Sequence, residues 1–153
     1  MLDLLEVMEG AETDMTLFYR GLADVVIDDD STPDERFAPL VNSLYAPDEL
    51  PGELRQRWDD WIDRYVARIR IDGTSDGKRR DSMNAVNPLY VMRNYLAQLA
   101  IDASTAGDHS KITELLDVMR NPYDYQEGRD EYAEKRPEWA RTRVGCSMLS
   151  CSS

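Results

Sequence analysis

The sequence predicts an all-α protein: a bundle or array of about six helices, followed by a flexible C-terminal tail that carries cysteine. Three observations predict it. Apolar residues recur at three- and four-residue spacing along almost the whole chain. Pro and Gly stand at the ends of the best-marked stretches. No pair of segments carries the period-two alternation of paired strands.

Taken in order, Leu4, Leu5 and Met8 predict a helix over 2–9. Met15, Phe18, Leu22 and Val25 predict another over 14–25, with "EGAET" between them. Phe37, Leu40, Val41 and Leu44 repeat the pattern over 34–45, where Pro39 must occupy the first turn or bend the helix. The clearest stretch is 51–70, with Leu54, Trp58, Trp61, Ile62, Tyr65, Val66 and Ile69 on one face. Pro51 suits its start and Gly73 its end. "VIDDDSTPD" and "DGTSDGKRRDS" read as polar turn material. Asn87 and Pro88 read as the cap and first residue of a helix carrying Val91, Tyr95, Leu96, Leu99, Ala100 and Ala103, stopped by Gly107. Asp108 or Ser110 then caps a last helix with Ile112, Leu115, Leu116 and Met119 inward, which Pro122 ends. The expected organisation is one helical domain over 1–144 and a tail over 145–153.

A length of 153 residues suits a domain with a real core. At 42% hydrophobic and 31% charged residues, the chain is globular rather than disordered. No apolar run approaches the roughly 20 residues that span a bilayer. The acidic start "MLDLLEVMEG" lacks the basic region of a secretory signal, which predicts a cytoplasmic, bacterial-type location. The net charge of −12 is uneven. Residues 1–60 hold 16 Asp/Glu against 4 Lys/Arg, and the rest balance at 14 against 14. Such a surface disfavours nucleic acid and anionic membrane, since either needs Lys and Arg to displace counterions. It leaves open a stand-alone acidic helical interaction module that binds a basic protein surface.

Signatures of chemistry are sparse. There is no glycine-rich phosphate loop and no GxSxG elbow. His109 stands at a helix start, and one His with two tail Cys lacks the paired spacing of a zinc site. Asp28, Asp29 and Asp30 read as solvated loop charge, and Asp59 and Asp63 lie opposite the apolar stripe. Catalytic, cofactor-binding and metal-binding residues are therefore all expected to be absent. Arg93 and Asn94, inside an apolar helix, are candidates for an interdomain contact. Both cysteines, Cys146 and Cys151, fall in the last eight residues.

"NAVNPLYVMRNYLAQLAIDAS", then "ITELLDVMRNPYD", then a final "CSS" resemble in order the C-terminal part of the selenoprotein O family. "TLFYRGLADV" is similar to an upstream helix of that family. The resemblance is strong over 82–124, good at the tail, moderate over 1–26 and poor over 27–80. It implies a full-length protein with a protein-kinase-like fold that transfers AMP from ATP to Ser, Thr or Tyr of proteins, assisted by magnesium. The ATP-contacting, metal-binding and base residues of such an enzyme precede the matched region, so none has a position here. The resemblance implies a helical C-terminal part, inactive alone, binding no ATP or magnesium, whose partner is a kinase-like core or a second copy of itself. Eukaryotic members are mitochondrial. It also implies redox control by the terminal cysteine, Cys151; Cys146, additional to the usual tail of that family, is then expected to be an auxiliary or resolving thiol.

Overall fold

A computed structural model describes residues 2–146, with only the backbone at Leu2. The chain is all-α: α1 (Leu2–Gly10), α2 (Met15–Leu22), α3 (Pro33–Phe37), α4 (Gly52–Asp72), α5 (Asp76–Asn84), α6 (Asn94–Thr105) and α7 (Ser110–Arg120). Short 3₁₀ turns follow α3, precede α4 and close the C-terminal part. The only pairing of extended backbone among the described residues is a bridge between Thr13 and Leu44. Two compact units divide the chain after Asn87. Among the described residues, no helix is long and apolar enough to cross a membrane.

The first unit is built on α4. Its stripe of Trp58, Ile62, Val66 and Ile69 is buried, as the spacing requires. Gly73 ends the helix in the left-handed region, φ +64°, and its N–H donates to the Ile69 carbonyl. Phe18 of α2 packs on Trp58 and Trp61, with centroids 5.5 and 5.9 Å apart, and Phe37 of α3 closes the far side of Trp58. Asp14 caps α2 by accepting the Leu17 N–H at 3.0 Å. Close approach shapes α2 as well: a Cβ on Gly21 would stand 2.4 Å from the Pro39 carbonyl oxygen. Glycine thus lets the 3₁₀ turn of 38–43 lie directly on α2.

Three sequence expectations change. The helix expected over 34–45 is α3 followed by that 3₁₀ turn, because Pro39 has no N–H to continue α-helical bonding. Most of the polar stretch "DGTSDGKRRDS", read as turn material, lies in α5. It is anchored by arginine rather than by an apolar stripe. Arg79 of α5 is buried, and its guanidinium donates to the Leu22 and Val25 carbonyls and to Asp76 Oδ1 at 3.4, 3.0 and 3.3 Å. Reciprocally, Arg20 of α2 donates to the Asn84 and Asn87 carbonyls at the end of α5. Each helix supplies the group that satisfies the other's unpaired C-terminal carbonyls. Finally, α6 starts at Asn94, not at Pro88. Leu89 and Tyr90 instead donate their N–H groups to the Pro122 carbonyl, at 2.7 and 3.0 Å, which keeps that stretch extended.

Candidate functional site

The second unit holds most of the residues singled out in the sequence. Its core is Tyr90, Tyr95, Leu96, Ala100, Leu115, Val118, Tyr132, Ala140 and Cys146. An interlock of main chain and side chain ties "NPLY" to the end of α7. Besides the two bonds to Pro122, the Tyr90 hydroxyl accepts the Gln126 N–H at 3.0 Å. Gln126 Nε2 donates to the Val118 and Asn121 carbonyls, both at 2.9 Å, and so caps α7. Arg93 is the N-cap residue of α6, with its carbonyl accepting from Leu96 and Ala97. Arg93 and Asn94 are both half-buried where the extended entry turns into helix.

A charged cluster sits beside this interlock. Glu114 of α7 pairs with Arg129 and, at 3.4 Å, with Lys111. The Tyr132 phenol beside Glu114 and the two cations hold its carboxyl below the usual range. Burial first, and the neighbouring Glu114 carboxylate second, push the Tyr132 phenol well above its ordinary value. The signs fix the pH response. Tyr132 has its pKa raised on folding, so its contribution is complete below about pH 10 and is lost as pH rises above that. Glu114 has its pKa lowered, so its contribution is present above about pH 4.5 and is lost below it. Thermal melts from pH 3 to 12 are expected to show a plateau that falls at both ends. Tyr132→Phe should remove the alkaline contribution and, by deleting the phenol that holds the Glu114 carboxyl down, weaken the acid limb as well.

The other candidates fall apart geometrically. Asp29 pairs with Arg70 at 3.0 Å, while Arg70 and Arg36 grip the carbonyls of Ile27 and Asp28. The acidic loop is thus held by arginines. Its cavity of about 280 Å³ is lined by Val26, Asp28, Asp30, Ser31 and Glu35. With no basic side chain among these, the lining does not fit a nucleotide triphosphate. Asp59 pairs with Arg55 and Asp63 with Arg36, so the two carboxylates serve separate ion pairs. His109 precedes α7 and shares a 2.8 Å hydrogen bond with the Ser104 hydroxyl. Among the described residues, no three His, Cys, Asp or Glu side chains are placed to hold a metal. Cys146 is a free thiol, only 5% exposed, in the core of the second unit. Cys151 lies outside the described residues.

Sequence reasoning missed the outward face of this unit. Ile112 and Leu116, one turn apart on α7 and expected inward, are 49% and 51% exposed. Leu99, also expected inward, is exposed, as are Met92, Ile101 and Trp139. Apolar spacing marks both faces of α7: Leu115 and Val118 are buried inside the unit and Met119 packs against its core, as expected, while Ile112 and Leu116 face outward.

No family model matches the chain. It is 51% identical over 158 residues to the protein nucleotidyltransferase YdiU of Rhodopirellula baltica, covering 98% of this chain and 29% of that protein. Its namesake in Aromatoleum aromaticum is 47% identical, covering 96% and 27%. That of Azoarcus sp. is 51% identical, covering 95% and 27%. The chain therefore spans less than a third of the length of these curated relatives.

Proposed function

The chain belongs to the selenoprotein O family, and from that membership we propose that it is the C-terminal helical part of a protein nucleotidyltransferase, inactive alone. In the complete protein, AMP would pass from ATP to protein hydroxyls at a kinase-like core. The two helical units would pack on that core, with Arg93 and Asn94 at the contact.

The observation that carries this reading is the half-exposed apolar side chains of the second unit, above all Ile112 and Leu116, one turn apart on α7. Large apolar side chains that expose half their surface in one small unit mark a covered interface. The match of almost the whole chain to a part of each relative supports the same reading. Cys151 is then the redox cysteine and Cys146 its auxiliary thiol. Exchange needs an accessible thiolate, so Cys146 acts only when the turn around Gly145 opens.

The test is incubation of the purified chain with labelled ATP and magnesium, reduced and oxidised, with a generic protein acceptor. The expected result is no covalent AMP on the chain or the acceptor, because the described residues hold no cluster of metal ligands and the sequence no glycine-rich phosphate loop. Transfer that survives repurification and is lost on unfolding would overturn the reading.

A further inference from the structure

Residues 73–75 join α4 to α5, and the two helices together line a cavity of about 350 Å³ within the first unit. With a single large apolar residue, Met83, α5 lacks the side chains to fill the space against α4. Tyr65 and Ile69 of α4 and Met83 of α5, buried or half-buried, form an apolar floor. Thr74, Lys78 and Ser82 form a polar rim. None of these three side chains has a hydrogen-bond or ion-pair partner among the described residues. Arg79 also lines the cavity at 7% exposure, and its buried Nε–H has no acceptor among those residues. The lining is therefore rich in donors and short of acceptors. A few convergent polar groups over an apolar floor, in a space of this volume, make up a small-molecule site.

We propose that this cavity binds a small organic monoanion, a carboxylate on an aliphatic body. The carboxylate meets the Lys78 ammonium and the Thr74 and Ser82 hydroxyls, and the aliphatic body lies on Tyr65, Ile69 and Met83. Charge selects the head group. The lining carries Lys78 and Arg79 against one carboxylate, Asp72, and Asp72 is already paired with Arg68. Arg79 is paired with Asp76 and bonded to two main-chain carbonyls, which leaves Lys78 as the uncommitted cation of the lining. One ammonium suits a monoanion, whereas a phosphate dianion would call for a second cation. The cavity beside Asp28 and Asp30 in the same unit has carboxylates and no cation, so a cationic lining is no general property of this acidic chain. Methionine, polarisable and unbranched, adapts to an aliphatic ligand. The site uses residues of the first unit alone and does not rest on the function proposed above.

The experiment titrates the whole chain, labelled with carbon-13 at its methionine methyls, with octanoate and, in parallel, with octanol and octylamine. Octanoate should shift the Met83 signal saturably, with a Kd of about 1 mM or tighter. Octanol and octylamine should bind at least about tenfold more weakly, since neither offers an anion to Lys78. Lys78→Gln should weaken octanoate about fivefold. Lys78 is exposed, so this variant keeps the fold, which an unchanged melt without ligand reports. Met15 and Met92, exposed away from the cavity, should keep their signals. A Met15 or Met92 shift in step with Met83 would mark detergent-like binding and overturn the site. Octanol as tight as octanoate, or Lys78→Gln without effect, would overturn the anion and the proposal with it. No saturable shift at Met83 would overturn the proposal outright, and the result of the AMP-transfer test would stand unaffected.

Discussion

Trp58→Ala is expected to cost about 3–5 kcal/mol of stability, the range for deleting a large buried aromatic side chain. Against the 5–15 kcal/mol that holds a typical domain, much of the first unit's stability would go. Trp58 is fully buried and touches both Phe18 and Phe37, so its removal leaves a cavity that three separate elements line. Backbone from α2, α3 and α4 cannot collapse together into that space without giving up other contacts. Trp58→Phe should cost much less, about 2 kcal/mol or under, for a reason visible at one atom. The indole Nε1 is buried without an acceptor among the described residues, so phenylalanine removes an unsatisfied donor while keeping a ring. Urea titration followed by circular dichroism checks both. An unchanged midpoint for Trp58→Ala would place the core of the unit elsewhere.

Arg79→Ala is expected to be the next largest, on the order of 3 kcal/mol, because it strips a charged donor from buried acceptors. The Val25 carbonyl would lose the bond that Arg79 gives it. The Leu22 carbonyl would keep only the Tyr65 hydroxyl, at 3.2 Å. Arg79→Lys should rescue little, since one compact ammonium cannot reproduce a fork directed at three acceptors. The neighbouring Arg80 is a matched control. It is exposed and pairs with exposed Asp24 at 2.6 Å, so Arg80→Ala should cost less than about 1 kcal/mol. Equal effects at the two positions, measured by the same titration, would remove Arg79 from its role as an anchor.

The sequence made α4 legible because one helix carries its own evidence: a buried stripe, Pro51 before it and a left-handed Gly73 after it. The end of α6 was equally readable, with Gly107 at φ +92°. What escaped was structure made by distant partners. Nothing within "DGKRRDSMN" announces a helix, since Arg79 is held by carbonyls at the end of α2 and just past it, more than fifty residues away. Pro88 looks like a helix start until Pro122, also far along the chain, claims the N–H groups of Leu89 and Tyr90. The same limit governs the candidate site. Spacing places Ile112 and Leu116 among apolar positions but cannot say whether their partners belong to the same unit. The order of "NPLYV", "NPYD" and "CSS" identified the family, while the burial of Cys146 has no clear local signal, since Gly145 and Ser147 flank it and no helical apolar spacing leads into it.

The crossed arginines of α2 and α5 carry a consequence for motion. Arg20 sits on the helix whose end Arg79 closes, and Arg79 sits on the helix whose end Arg20 closes. Fraying at one terminus releases the side chain that guards the other, so the two ends open together or stay shut together. Residues 20–25 and 76–87 thereby form a single foldon, whose amides exchange with solvent in one concerted event rather than by independent unravelling of two short helices.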